Sequence, residues 1–192
     1  KKTPVKKRGS NSFKLASKLL TSIANIHQVP DIVARIRSLQ LVPVEVATVP
    51  DQLRFNQTSI SVPANTPVEL RLNNPDAIQH NLILCAPGSL EKVGLAVDNI
   101  LADPKAIDRD WIPDLPEVLH ATPMANPHQE VVLRFLTPKK PGSYPFLCTV
   151  PGHWRIMQGT MIVDKPKTFL SSNKANKNVL ILTGEPEYGT RS

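Results

Sequence analysis

The stretch YPFLCTVPGHWRIMQGTMIV, Tyr144 to Val163, decides how this chain is read. Its two ends alternate with period two. Tyr144, Phe146 and Cys148 share one face, and so do Met161 and Val163, which is the pattern of half-buried β-strands. The TVPGHWRI between them must reverse the chain, and Pro151-Gly152 supplies turn residues for it. Cys148, His153 and Met157 therefore lie within ten residues of each other at a strand-to-strand turn. A thiolate, an imidazole and a thioether are soft or borderline ligands, a set that favours copper over magnesium or calcium. A structural zinc site would use four Cys or His ligands, and a thioether suits the long axial bond of a copper centre better than a zinc site.

Period two extends outward from this hairpin. It runs through PVELRLNN (67–74) and EVVLRFL (130–136), and LRFNQTSISV (53–62) and IQHNLILC (78–85) bring the total to about six short strands bounded by turn residues. That pattern predicts an antiparallel β-sandwich. Leu90, Val93, Val97 and Leu101 recur at helical spacing in GSLEKVGLAVDNILADP (88–104), a helix inserted over one edge, and a Pro-rich loop follows over 107–127. His80 begins one strand, on the same face as Leu82 and Leu84, so it sits at one end of an inward-facing row. One distant His followed by a Cys-His-Met hairpin gives a His₂Cys set with an axial Met: His80, Cys148, His153 and Met157.

At these residues the chain resembles the blue copper proteins, or cupredoxins, of azurin and auracyanin type. The likeness rests on QHN at 79–81 and on the hairpin, where Cys, four residues, His, three residues and Met are followed by Gln158, Gly159 and Thr160; azurins have Lys in place of the Gln. It covers roughly 51–165 and implies a Greek-key sandwich with one copper, cycling Cu(II)/Cu(I) to carry single electrons. It also implies particular roles. Asn81 ties its loop to the Cys148 loop, Val150 N–H donates to the Cys148 sulfur, and Pro151 has no N–H to add. Azurins have Gly before the first His, and Gln79 stands there in this chain, which bears on any fifth contact to the metal. Trp154, next to His153, either joins an apolar docking patch for redox partners or packs on the neighbouring loop. Cupredoxins work outside the cytoplasm, so the resemblance implies a periplasmic or otherwise extracytoplasmic setting, with cytochromes or other electron carriers as partners.

Cys85 has the opposite strand parity to His80 and reads as a small core hydrophobe, and Met161 reads as core. Two cysteines allow at most one bridge, and a Cys85–Cys148 bridge would destroy the site. Met124 sits in a loop, and His27, His120 and His128 show no partner pattern. Full ligand positions leave no open coordination site for a substrate, so the chain is not expected to be an enzyme. Two alternatives remain. It is the electron-entry domain of a multi-domain copper or haem oxidoreductase, although its five histidines include no His-x-His, or it is a structural or interaction module that binds no metal. A binuclear copper centre would need a second Cys in the hairpin loop, and there is none.

The flanks read differently from the sandwich. The net charge of +7 comes from residues 1–50, which hold nine Lys/Arg against two Asp/Glu, whereas residues 51–165 hold ten against twelve. A charge confined to one end speaks against nucleic-acid binding, which wants a basic folded face. KKTPVKKRGS reads as a solvated tail, residues 12–26 as an amphipathic helix through Phe13, Leu19, Leu20, Ile23 and Ile26, and the segment from Asp31 as a second short helix. No stretch is long and apolar enough to span a membrane. Residues 166–177 look like a linker, and NVLILTGEPEYG (178–189) is similar to the opening of a ThuA-like, amidotransferase-type α/β domain. The expected organisation is thus a basic tail and helical extension at 1–50, a cupredoxin domain at 51–165, and a linker with a terminal strand at 166–192 that either begins a further domain of a longer polypeptide or pairs with something outside this chain.

Overall fold

The computed structural model describes residues 8–26 and 40–165. The second short helix expected from Asp31, the linker and the terminal strand all fall outside these residues. Ser10 starts helix α1 (Asn11–Ile26): its Oγ accepts from Phe13 N–H at 3.2 Å, an N-cap bond. Among the described side chains Ser17 is the buried one, while Leu15, Leu19, Leu20 and Ile23 face solvent. Of the apolar row read from the sequence, Phe13 is half-buried while Leu19, Leu20 and Ile23 are exposed.

Nine strands form two sheets among the described residues. β1 (Val42–Val49), β2 (Arg54–Phe55), β4 (Pro67–Asn74) and β7 (Gln129–Leu136) lie in the order β2-β1-β4-β7. β3 (Ser59–Pro63), β5 (Ile83–Cys85), β6 (Val118–Ala121), β8 (Gly142–Leu147) and β9 (Gln158–Asp164) lie in the order β3-β9-β8-β5-β6. The all-β sandwich is as expected, but both sheets are mixed. β1 runs parallel to β4, with Val44 opposite Leu70, and β3 runs parallel to β9, with Ile60 opposite Met161.

Three details differ from the sequence reading. The sandwich begins at Val42 rather than Asp51, because VPVEVATV alternates and buries Val44, Val46 and Thr48. The run 53–62 is two strands in opposite sheets: Asn56 N–H donates to Ala47 O in one sheet, and Thr160 N–H donates to Thr58 O in the other. The loop 107–127 contains β6, paired with β5.

Alternation places the core between the sheets. Val68, Leu70 and Leu72 of β4 meet Leu82, Leu84, Phe146, Met161 and Val163 of the opposite sheet, and Cys148 and Met157 close one end of this cluster. A second cluster lies on the outer face of the five-stranded sheet. There helix α2 (Leu90–Asp98) packs Val93 and Val97 onto Ile83, Cys85, Leu147 and Trp154. Residues 82–85 thus divide by parity, with Leu82 and Leu84 on the inner core and Ile83 and Cys85 under α2. Cys85 is a free, fully buried thiol, as its parity predicted.

Candidate metal centre

Cys148 is the first residue beyond β8, and Met157 immediately precedes β9. The loop between them is closed at its base by Cys148 N–H donating to Met157 O at 3.0 Å. Inside it, His153 N–H donates to Val150 O at 3.0 Å, and Met157 N–H donates to His153 O at 2.8 Å. Gly152 has φ +87°, a left-handed conformation that costs glycine least, and it turns the chain between Pro151 and His153 so that the imidazole folds back toward Cys148. His80 lies between β4 and β5. Its backbone makes an isolated antiparallel bridge to Ala125, with N–H to O at 3.1 Å one way and 2.8 Å the other.

The result is a compact donor cluster. Cys148 Sγ lies 3.8 Å from His80 Nδ1 and 3.6 Å from His153 Nδ1. Ligand atoms of the three residues all fall within 4.8 Å of one another. The two rings stand 5.1 Å apart between centroids, tilted by 43°. His80, Cys148 and Met157 are fully buried, and His153 is the most accessible of the four, at 8%.

Burial sets the protonation of these groups. It pushes the Cys148 thiol up to about 11, against the backbone N–H groups of Asn81 and Val150, which favour the thiolate. It pushes His153 down to about 4, helped by the neighbouring His80 and opposed by the Asp76 carboxylate. Burial also lowers His80, with Asp76 opposing. Both imidazoles are therefore neutral near pH 7, with a lone pair to offer, and a cation that replaces the thiol proton would relieve the cost of a buried thiolate. The set of one sulfur and two imidazoles, with a thioether residue at the end of the same loop, fits a copper ion.

The residues around the cluster fall into place as follows. Asn81 joins the two ligand-bearing segments: its Oδ1 accepts from Thr149 N–H at 2.8 Å, and its Nδ2 donates to Thr149 Oγ1 at 2.6 Å and to Asp110 O at 2.8 Å. Val150 N–H is directed at the Cys148 sulfur, and so is the backbone N–H of Asn81. Pro151 follows in the loop and adds no donor. The Gln79 side chain is exposed and donates to Asn126 Oδ1 at 2.6 Å. Trp154 is a correction to the docking-patch reading. It is buried in the α2 cluster and donates from Nε1 to Asp98 Oδ1 at 2.7 Å, so it packs on its neighbours rather than facing a partner. Met161 is core, and His120 stacks on Phe135 with centroids 4.6 Å apart.

Sequence reasoning missed Asp76, whose Oδ2 lies 3.1 Å from His80 Nε2. The available signal was an acidic residue four positions before the proposed ligand, at the end of an inward-facing strand. Thr149, the partner of Asn81, and Asp110, on the adjacent loop, were also unseen.

A two-sheet sandwich with a buried Cys and two His converging at one end of its core defines a mononuclear blue copper protein. The chain belongs to the plastocyanin/azurin family of copper-binding proteins, whose model matches residues 42–164. It is 34% identical over 125 residues to Auracyanin-A of Chloroflexus aurantiacus, spanning 64% of this chain and 75% of that protein. It is 42% identical over 125 residues to Auracyanin-B of the same organism, covering 62% of this chain but only 51% of that relative. The solved structure of Auracyanin A, described as a "blue" copper protein from a green thermophilic photosynthetic bacterium, superposes with a TM-score of 0.58 at 31% identity, over 64% of this chain and 98% of that one. Proteins of this kind bind one copper and carry electrons to redox partners; they are not enzymes.

Proposed function

We propose that His80, Cys148 and His153 are the equatorial ligands of a single type 1 copper, with Met157 as the weak axial ligand. In this reading the chain relays single electrons between redox proteins such as cytochromes, as an extracytoplasmic, periplasmic module of a larger protein or complex. The observation that carries it is convergence: two segments 68 residues apart deliver a thiol and two imidazole Nδ1 atoms to one buried point. Copper, when bound, supplies a one-electron couple.

The chain's own part is to hold the donors still and dry. His80 is fixed by two backbone bonds to Ala125, and the Cys148 loop is locked to the Asn81 segment through Thr149. Because the donors are packed into the sandwich core, little has to move when charge is added or removed. His153 is the least buried donor, and Ile156 of the same loop is 62% exposed, so partner contact is expected on this side rather than at Trp154. The larger context is suggested by α1, which precedes the matched span and turns an apolar row outward.

The test is direct. Adding one equivalent of Cu(II) to the metal-free protein should produce an intense visible band from thiolate-to-copper charge transfer. Cys148→Ser should abolish the band while far-UV circular dichroism stays unchanged. A colourless wild-type protein with intact fold would favour the structural module instead.

A further inference from the structure

The structure assigns Asp76 as the positioning carboxylate of the centre: it fixes His80 as the Nε2–H tautomer with Nδ1 free for metal, and biases the site toward the oxidised ion. This rests on the copper reading above. Asp76 and His80 are both buried, and the Oδ2 to Nε2 separation is 3.1 Å. The other ring nitrogen, Nδ1, is the one that faces Cys148 Sγ. An anionic acceptor on one nitrogen requires that nitrogen to carry the proton, which leaves the lone pair on the other. A carboxylate behind a metal-bound histidine orients the ring and raises its basicity.

The carboxylate is itself held in place. Asp76 Oδ1 accepts from Ala77 N–H at 2.7 Å. Behind it stands Asn74, fully buried. Its Oδ1 accepts from Thr48 Oγ1 at 2.8 Å and from Asp76 N–H at 3.2 Å, and its Nδ2 donates to Ile78 O at 2.8 Å and Ala125 O at 3.0 Å. Ala125 is also the residue whose backbone pairs with His80, so the frame that holds the ligand also holds its carboxylate. Among the described residues, the Asp76 carboxylate is engaged by the His80 ring and by the Ala77 N–H. Its negative charge acts on the ring across that 3.1 Å contact. A fixed anion one imidazole away from the metal stabilises the more positive oxidation state.

Two measurements test this. In the metal-free protein, ¹⁵N-edited NMR of the His80 ring should show a protonated Nε2 and a bare Nδ1; an Nδ1–H tautomer overturns the assignment whether or not the chain binds copper. In the copper-loaded protein, Asp76→Asn keeps an oxygen acceptor for Nε2–H but removes the charge. We expect the Cu(II)/Cu(I) ratio at fixed potential to fall about tenfold, a rise of about 59 mV in reduction potential, with the visible band retained. Cu(II) affinity should drop about 10–100-fold. An unchanged potential in folded, coloured Asp76→Asn overturns the charge role, and Asp76→Glu should restore most of the shift. If the Asn variant does not fold, the potential of Asp76→Glu against wild type and the wild-type tautomer decide. A wild-type chain that takes up no copper defeats the copper reading alone and leaves the tautomer result standing.

Discussion

Asn81 shows how much of this centre depends on groups that touch no metal. Both ends of its amide are engaged, with Thr149 N–H, Thr149 Oγ1 and the Asp110 carbonyl, and Asn81 itself is fully buried. Asn81→Ala would strand the buried Thr149 N–H and free the Asp110 carbonyl, and leaving one buried polar group unpaired costs about 1–3 kcal/mol. We expect urea denaturation to show a loss of roughly 2–4 kcal/mol from the two together, with a broadened visible band as the Cys148 loop loosens. The four candidate ligands were legible because three lie in one short loop, where spacing alone constrains geometry. Asp76 was not, because an aspartate near a turn is ordinary in sequence, and its meaning appears only when the chain past Asn74 folds its carboxylate under the His80 ring.

At the scale of elements, α2 and the hairpin loop are one unit. Gly94 sits on the buried face of α2, and a Cβ built there would lie 2.4 Å from the Trp154 ring. Helix propensity would favour alanine at this position by up to about 1 kcal/mol. Overpacking opposes it at about 1–3 kcal/mol, and the ring cannot yield easily because it is bonded to Asp98 and covered by Arg155, whose guanidinium stands 4.4 Å from the ring centroid. Gly94→Ala should therefore lower the thermal midpoint, and the copper spectrum should shift, because Trp154 is joined directly to His153. A stabilised variant with an unaltered spectrum would show that helix and loop are independent. Period two found most of these strands but not their sheets. β1 went unread because Pro43 interrupts its run, yet Pro43 is tolerated there because β2 pairs only with Thr48 and Val49 and, among the described residues, no second strand is paired at Pro43 beside β4. The run 53–62 reads as one strand because alternation carries no information about a crossing between sheets.

Across the whole molecule, the four-stranded sheet carries an ionic crossing between neighbouring strands, centred on the buried Glu69. Glu69 of β4 is directly opposite Arg134 of β7, and its two oxygens accept from Arg134 Nε at 2.7 Å and Arg71 Nη2 at 2.7 Å. Burial pushes the Glu69 carboxyl up, but the hydrogen bonds and charges of Arg134 and Arg71 outweigh it and hold the group below its ordinary 4.5. A carboxyl depressed in the folded state binds its proton more readily when unfolded. Its stabilising contribution is therefore complete above about pH 4.5 and is lost as pH falls through the lower folded value. Asp76 and Asp98 are lowered too and act with the same sign, so the difference between two proteins isolates Glu69. Glu69→Gln keeps the shape and removes the charge. At pH 7 it should cost about 1–3 kcal/mol, the scale of hydrogen bonds to a charged group, and the half-exposed arginines can rehydrate. Below pH 4 the thermal midpoints of the two proteins should converge. Parallel curves from pH 7 to pH 3 would mean that the crossing between β4 and β7 contributes nothing through its charge.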